Sequence, residues 1–202
     1  VDLAGAQAEL AARGFDYLPA ARMTTMLNNA KNTFEDYWAW PWLEQAPTGP
    51  APLVVPGLKT VLYVRDSDRG VELPGIDPRD IDGLTLPGTR PSCWWLDGPA
   101  GGTDDVTINT WPVSPVTLEA RVTVESPELA QPIDTPLIPA RYHPLWIDLA
   151  ACDAYRDSDN FPAAQALRGD VNARLGDLVT RYETRNRQNS QTILIRAGSL
   201  DD

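Results

Sequence analysis

A chain of 202 residues with 19 prolines can bury one core with an inserted module or two small cores, and no run in it approaches the roughly 20 apolar residues of a bilayer span. Its formal charge of -11 argues against a protein that grips nucleic acid by neutralising phosphates, although an acidic surface can still surround DNA without holding it. Cys93, Cys152 and the lone His143 fit neither a disulfide framework nor a typical zinc site, so buried, reduced thiols are expected.

The opening residues, Val1 to Gly5, have neither the basic nor the apolar part of a secretion signal, which predicts synthesis in a cytoplasm. Asp2 is placed to cap an alanine-rich first helix that ends at Gly14, a residue suited to a left-handed C-terminal position. From about Ala20, Met23, Leu27, Ala30, Phe34 and Tyr37 or Trp38 recur at steps of three or four, the period of a helix with one buried face, until Pro41 stops it. The aromatic run Trp38-Ala39-Trp40-Pro41-Trp42 follows, and its rings are expected to close the junction between helical and β parts, with a sugar-stacking or subunit-interface role as the competing reading.

Between Thr48 and Pro139 short runs are punctuated by Pro and Gly, as β structure with tight turns reads. The clearest strand is Val116 to Glu125, where Val116, Leu118, Ala120, Val122 and Val124 alternate with polar residues. Leu58 to Val64, Gly83 to Leu86, Cys93 to Leu96 and Val106 to Asn109 are weaker strands of the same kind. A third helix starts between Pro139 and Pro144 and carries Leu145, Leu149, Cys152 and Tyr155 or Arg156 on one side. After the Asp157-Ser158-Asp159-Asn160 loop, Ala164, Leu167, Val171, Leu175, Leu178 and Tyr182 mark a fourth helix with a heptad-like seam.

The resulting class is α+β: residues 1–47 and 139–189 form a helical bundle, residues 48–138 an inserted, mainly antiparallel β domain, and residues 190–202 a tail. Within the tail, Thr192, Ile193, Leu194, Ile195 and Arg196 read as a β-prone strand that pairs either with its own sheet or with a neighbouring subunit or partner.

No catalytic, cofactor or metal site is expected. The Gly98 to Thr103 stretch lacks the Lys-Ser/Thr of a phosphate loop, and Asp157, Asp159 and Asn160 open a calcium-like loop that then carries Pro162 and Arg168 where glycine and glutamate are needed. There is no GxSxG elbow, and His143 before Pro144 reads as a turn or surface residue. Carboxylate pairs such as Asp97 with Asp104 or Asp105, or Asp148 with Asp153, are expected by chance among 28 acidic residues.

The order of parts resembles phage adaptor proteins, also called head completion or head-to-tail connector proteins, including the group similar to podophage tail tubular protein A. The matching passages are Leu27-Asn28-Asn29-Ala30 through Trp40-Pro41-Trp42-Leu43, then Trp111-Pro112-Val113-Ser114-Pro115 before a strand, then Ile138-Pro139 with Tyr142-His143-Pro144-Leu145 and Ala154-Tyr155-Arg156-Asp157.

The resemblance implies a structural virion protein and not an enzyme, present as a ring of about a dozen copies beneath the portal protein at the neck of the particle. It also implies contact with a head-closure or tail-completion protein, and genomic DNA passing through a central channel without sequence-specific binding. An acidic ring would let that DNA slide. A tail tube gatekeeper, or a carbohydrate-binding module on a helical stalk with Trp94, Trp95 or Trp111 as a stacking platform, are the alternatives.

Overall fold

A computed structural model describes the backbone of residues 1–83, 89–98 and 105–197, and the side chains of these residues except 82–83 and 185–197. The chain divides into a helical unit, residues 1–38, 129–135 and 140–202, and a β unit, residues 39–128 and 136–139.

The helical unit contains α1 (Leu3–Leu10), α2 (Ala20–Asp36), α3 (His143–Asp157) and α4 (Phe161–Ala197). The Asp2 carboxylate accepts a hydrogen bond from the Gly5 amide at 2.9 Å, satisfying one of the orphan donors at the start of α1. The chain leaves α1 through a wide turn, Ala11–Phe15, in which Gly14 has φ 97°, a conformation costly for a residue with a Cβ. Met23, Leu27, Ala30 and Phe34 form the buried face of α2, while Tyr37 is exposed.

Helix α3 packs against α1, α2 and α4, so Leu145 to Leu149 and Ala150 to Ala154 are buried on nearly every side and not on one stripe. Trp146, fully buried, donates its indole N–H to the Leu27 carbonyl of α2. On α4 the buried stripe is Ala164, Val171, Leu175 and Leu178, with Leu167 and Tyr182 half-buried.

Two boundaries differ from the sequence expectation. Leu129–Thr135 belongs to the helical unit: the Asn28 side chain donates to the Leu129 carbonyl at 3.0 Å and accepts from the Leu129 amide at 2.9 Å. Leu3 and Ala4 donate their amides to the Asp134 and Pro132 carbonyls, which supplies partners to two more first-turn donors of α1. Residues 39–47 belong to the β unit, because Glu44 and Gln45 pair with Thr123 and Val122.

The β unit has two antiparallel sheets. In the first, β8 (Thr117–Val124) lies between β4 (Leu58–Asp66) on one side and β1 (Glu44–Gln45) and β2 (Thr48–Pro50) on the other, with β5 (Val71–Leu73) beyond β4. The second is ordered β3 (Leu53–Val55), β7 (Val106–Trp111), β6 (Cys93–Asp97). The alternating face of β8 is buried from Val116 to Val124 and meets Val55, Val64, Val106 and Ile108 in one core.

Backbone bonds from Trp94 to Pro74 and from Ile76 to Trp94 join the end of β5 to β6, so the outer edge of β6 is covered locally. Leu84 to Leu86, expected as a strand, lie outside the described residues, and Gly83 ends a short 3-10 turn, Pro78–Gly83.

Candidate functional site

The aromatic run is shared between the two units. Trp38, half-buried in the helical unit, sets its ring 5.8 Å from that of Tyr182 on α4. In the β unit Trp40 is fully buried and stacks on Trp42 at 4.6 Å and 13°, with Pro41 opening the intervening 3-10 turn, Pro41–Leu43. Its proline locks φ for that turn, four residues beyond the Tyr37 cap at which α2 has already ended.

Thr192 to Arg196 are helical and not a strand: they lie in the last turns of α4, which runs through Ala197. The β-branched residues Ile193 and Ile195 disfavour a helix only weakly, and adding a residue to an existing helix gains a hydrogen bond without a new nucleus. Residues 198–202 lie outside the described residues.

Where α3 begins and the second half of α4 passes it, three of the exposed side chains are arginines. Arg141, Arg174 and Arg181 line a cavity of about 220 Å³ together with Tyr142, Leu178 and Asp177. The Arg141 guanidinium lies 4.7 Å from the Tyr142 ring centroid and donates to the Tyr182 hydroxyl at 3.0 Å. Arg174 is engaged by Asp148 at 2.7 Å and by Asp170 at 3.4 Å, and Asp148 also receives Arg13 of the wide turn at 2.6 Å.

At the other end of α3, Arg22 of α2 binds Asp157 with two nitrogens at 2.8 and 2.9 Å, which holds the Asp157 carboxyl below its ordinary range. Asp153, four residues earlier, moves the opposite way because burial penalises its charged form, against the pull of Arg156 and Arg168. Both acids line a cavity of about 420 Å³ with Arg22, Arg156 and the exposed Phe161.

The family model described as SU10 adaptor protein matches residues 3–194, from the first residue of α1 to near the end of α4. The chain belongs to the SU10 adaptor protein family. It is a phage adaptor protein, a component of the virion, and no curated protein matches its sequence.

In this SU10 adaptor Asp148, Asp157, Asn160 and His143 are held in structural contacts. Asp148 is neutralised by two arginines, and Asp157 by one. Asp159 has φ 58°, and the Asn160 side chain accepts the Ala163 amide at the start of α4, so the Asp157 to Asn160 loop is an interhelical turn with a cap. His143 is buried, 2% exposed, and not a surface residue; its ring stands edge-on to Trp146, and its Nδ1 lies 2.8 Å from the Val1 amino group.

Cys93 and Cys152 are free and buried, and burial pushes both thiols up. Among the described residues no three His, Cys, Asp or Glu side chains are grouped to hold a metal ion, and no helix is long and apolar enough to cross a membrane. Pro99 to Asp104, which include most of the Gly-rich stretch and one acid of the Asp97 pairs, lie outside the described residues.

Trp94 donates its indole N–H to the Leu73 carbonyl at 2.9 Å and packs toward the β core. A Cβ on Gly75 would come within 2.9 Å of its ring. Trp95 and Trp111 lie on the other face of β6 and β7 and are half-buried.

Sequence reasoning missed Asn28, whose polar side chain holds a distant backbone, and the buried Lys31 and Glu35, one turn apart on α2. The signal for the last two was available: both positions fall beside the apolar stripe that Ala30 and Phe34 define.

Proposed function

We propose that this protein is a head-to-tail adaptor of a tailed bacteriophage that assembles as a homo-oligomeric ring of about a dozen copies under the portal protein. The ring extends the DNA channel toward the tail, hands over to a head-closure or tail-completion protein, and performs no catalysis. It forms in the host bacterial cytoplasm and resides in the neck of the particle.

The observation that carries this reading is the family match over residues 3–194, which takes in both helical ends and the β insertion together. The charge balance supports it: an acid excess along a channel repels phosphates and lets DNA pass, where a basic lining would hold it in a strongly salt-dependent way.

In this reading Thr192, Ile193, Leu194, Ile195 and Arg196 dock on the portal or on a neighbouring copy, as the end of a helix. Helix α4, with 37 residues, spans about 55 Å, while α3, with 15, flanks at most about 22 Å of it. Trp38, Trp40, Pro41 and Trp42 fix the passage of the chain from the helical to the β unit.

Cryo-electron microscopy of the purified protein mixed with its portal ring tests the proposal. A closed ring coaxial with the portal is expected. A protein that stays monomeric and leaves the portal bare at micromolar concentration would falsify it.

A further inference from the structure

Single apolar side chains are common on protein surfaces and taken alone need no explanation. Ile133 differs in how it is held. It is 80% exposed, and no large apolar side chain among the described residues is more so. The segment that carries it, Leu129–Thr135, is a loop of the helical unit with no helix or strand of its own.

Hydrogen bonds fasten this loop on both sides of Ile133. Before it, the Asn28 side chain engages both backbone groups of Leu129, which is itself buried. The Asp134 carboxylate accepts the Ala130 amide at 2.8 Å and the Gln131 amide at 2.6 Å, and the Asp134 amide donates to the Gln131 carbonyl at 2.9 Å. The carbonyls of Pro132 and Asp134, the immediate neighbours of Ile133, receive the Ala4 and Leu3 amides at 3.0 and 2.8 Å. A loop tied in this way has little freedom to turn its apolar residue inward, and an anchor already in place binds without having to be ordered first.

The same unit holds a hollow of matching chemistry. A cavity of about 470 Å³ opens where α3 meets the first half of α4. Ala151, Ala163, Ala166 and Leu167 line it, and Tyr155, whose ring stands edge-on to Phe15 at 4.9 Å, forms one wall. The short alanine side chains of both helices leave it unfilled. Its two charged residues are neutralised within the chain: Arg13 pairs with Glu9 and Asp148, and Asp170 with Arg174. The cavity therefore fits an apolar group and has no call for a counter-ion.

One chain does not bring the two together. The Ile133 loop is bonded to the first residues of α1, where the Val1 amino group lies 2.8 Å from His143, the first residue of α3. Ala151 and Tyr155 lie eight and twelve residues further along α3, about 12 and 18 Å at 1.5 Å per residue. Knob and hollow thus belong to different ends of one helix, and the bonds that fasten the loop keep them apart.

We infer that Ile133 of one copy seats in the alanine-lined hollow of the next. The inference rests on the ring proposed above and names one contact within it. An apolar knob that enters a hollow elsewhere on an identical chain makes a heterologous contact, the kind that builds rings and not two-fold dimers. A second copy is the favoured occupant because size, apolar lining and neutralised rim all suit a branched aliphatic side chain, and this chain holds such a side chain rigidly in water. A few anchors of this kind carry most of the binding energy of an interface.

Disulfide trapping tests the contact. Cys93 and Cys152 are buried and stay in place. Ile133→Cys and Ala166→Cys are prepared singly and together in the full chain and oxidised at assembling concentration. The mixed single variants are expected to give disulfide-linked dimers that hold one chain of each, and the double variant a ladder of linked copies. Ile133→Cys with Asn172→Cys, exposed further along α4, is expected to give no ladder. Ile133→Ala, at an exposed position, is expected to keep the wild-type Tm and to need roughly tenfold more protein to close the ring.

If wild type forms the ring but the mixed variants do not link and Ile133→Ala assembles like wild type, the contact is elsewhere and this inference is overturned while the ring stands. If Ile133→Ala closes the ring normally but is no longer captured by the portal, the partner of the loop is the portal and the inference is overturned. If wild type forms no ring, alone or on the portal, the ring reading fails and this contact with it.

Discussion

Trp146 of α3 donates its indole N–H to the Leu27 carbonyl of α2 at 2.8 Å, and both side chains are fully buried. Replacement by Phe keeps most of the apolar contact but removes the donor and leaves a small void. Trp146→Phe is expected to cost about 1–3 kcal/mol, read as a lower denaturation midpoint with an unchanged m-value.

Asn28 makes two hydrogen bonds to the backbone of Leu129, a residue 101 positions away. Asn28→Ala leaves the Leu129 amide and carbonyl without this partner, and a loss of about 1–3 kcal/mol is expected in urea unfolding. Amide hydrogen exchange at Leu129 should speed up by more than it does in the β unit. Equal exchange at both places would show that the side chain does not hold the segment.

Asp148 receives Arg13 and Arg174 from two other elements, and its own side chain is 13% exposed. Asp148→Asn is expected to lower stability by about 1–2 kcal/mol, more than an exposed pair is worth, because two guanidinia lose one partly buried partner. A double-mutant cycle of Arg174→Met with Asp148→Asn should return a coupling that 0.5 M NaCl only partly removes; a coupling abolished by salt would place the network in bulk solvent.

Asp157 and Asp153, one helical turn apart, bend the pH dependence in opposite directions. Arg22 depresses the folded value of Asp157, so its stabilisation is complete above the ordinary aspartate range and is lost as pH falls through that depressed value. Burial raises Asp153, so its contribution is complete below the ordinary range and is lost as pH rises through the raised value. Asp157→Asn is expected to flatten the acid limb of a stability curve. Asp153→Asn is expected to leave stability at pH 7 equal to or above wild type, and a marked loss there would mean that its ion pairs outweigh its burial.

The last described side chain packed on the α4 seam is Tyr182, against Trp38. A chain ending at Thr184 tests whether the end of α4 serves the proposed assembly alone, in which case it unfolds within about 2 °C of the full protein. In the proposed assembly it is also expected to lose capture by the portal, measured by co-sedimentation. A large fall in Tm would show that residues 185–197 stabilise the chain itself.

Much of this architecture was legible before any coordinates. The strict alternation in β8, the three-and-four spacing of α2 and Gly14 at the end of the first helical stretch each express a rule that a single element obeys alone. What escaped were features set by neighbours. Helix α3 reads as one-sided, yet it is buried on nearly every side because α1, α2 and α4 all pack on it. His143, Lys31 and Glu35 belong to residue types usually found at surfaces, and only tertiary packing takes them inside. Strands β1, β2, β3 and β5 have two or three residues each, too few for a period to show. Thr192 to Arg196 read as a strand from local preference, and helix continuation decided otherwise. Of the candidate site, the aromatic run was visible from composition, whereas the arginine cavity was not: Arg141 and Arg181 are separated by a whole helix and a turn.

The helical unit is interrupted in sequence by the β unit, and this has a consequence on the ribosome. The apolar face of α2 is complete by Asp36, but its partner α3 begins only at His143. At roughly 5–20 residues per second that face waits on the order of ten seconds, uncovered, while the β strands emerge and pair. The polar and charged positions of α2, Asn28, Lys31 and Glu35 among them, would keep the nascent helix soluble through that interval.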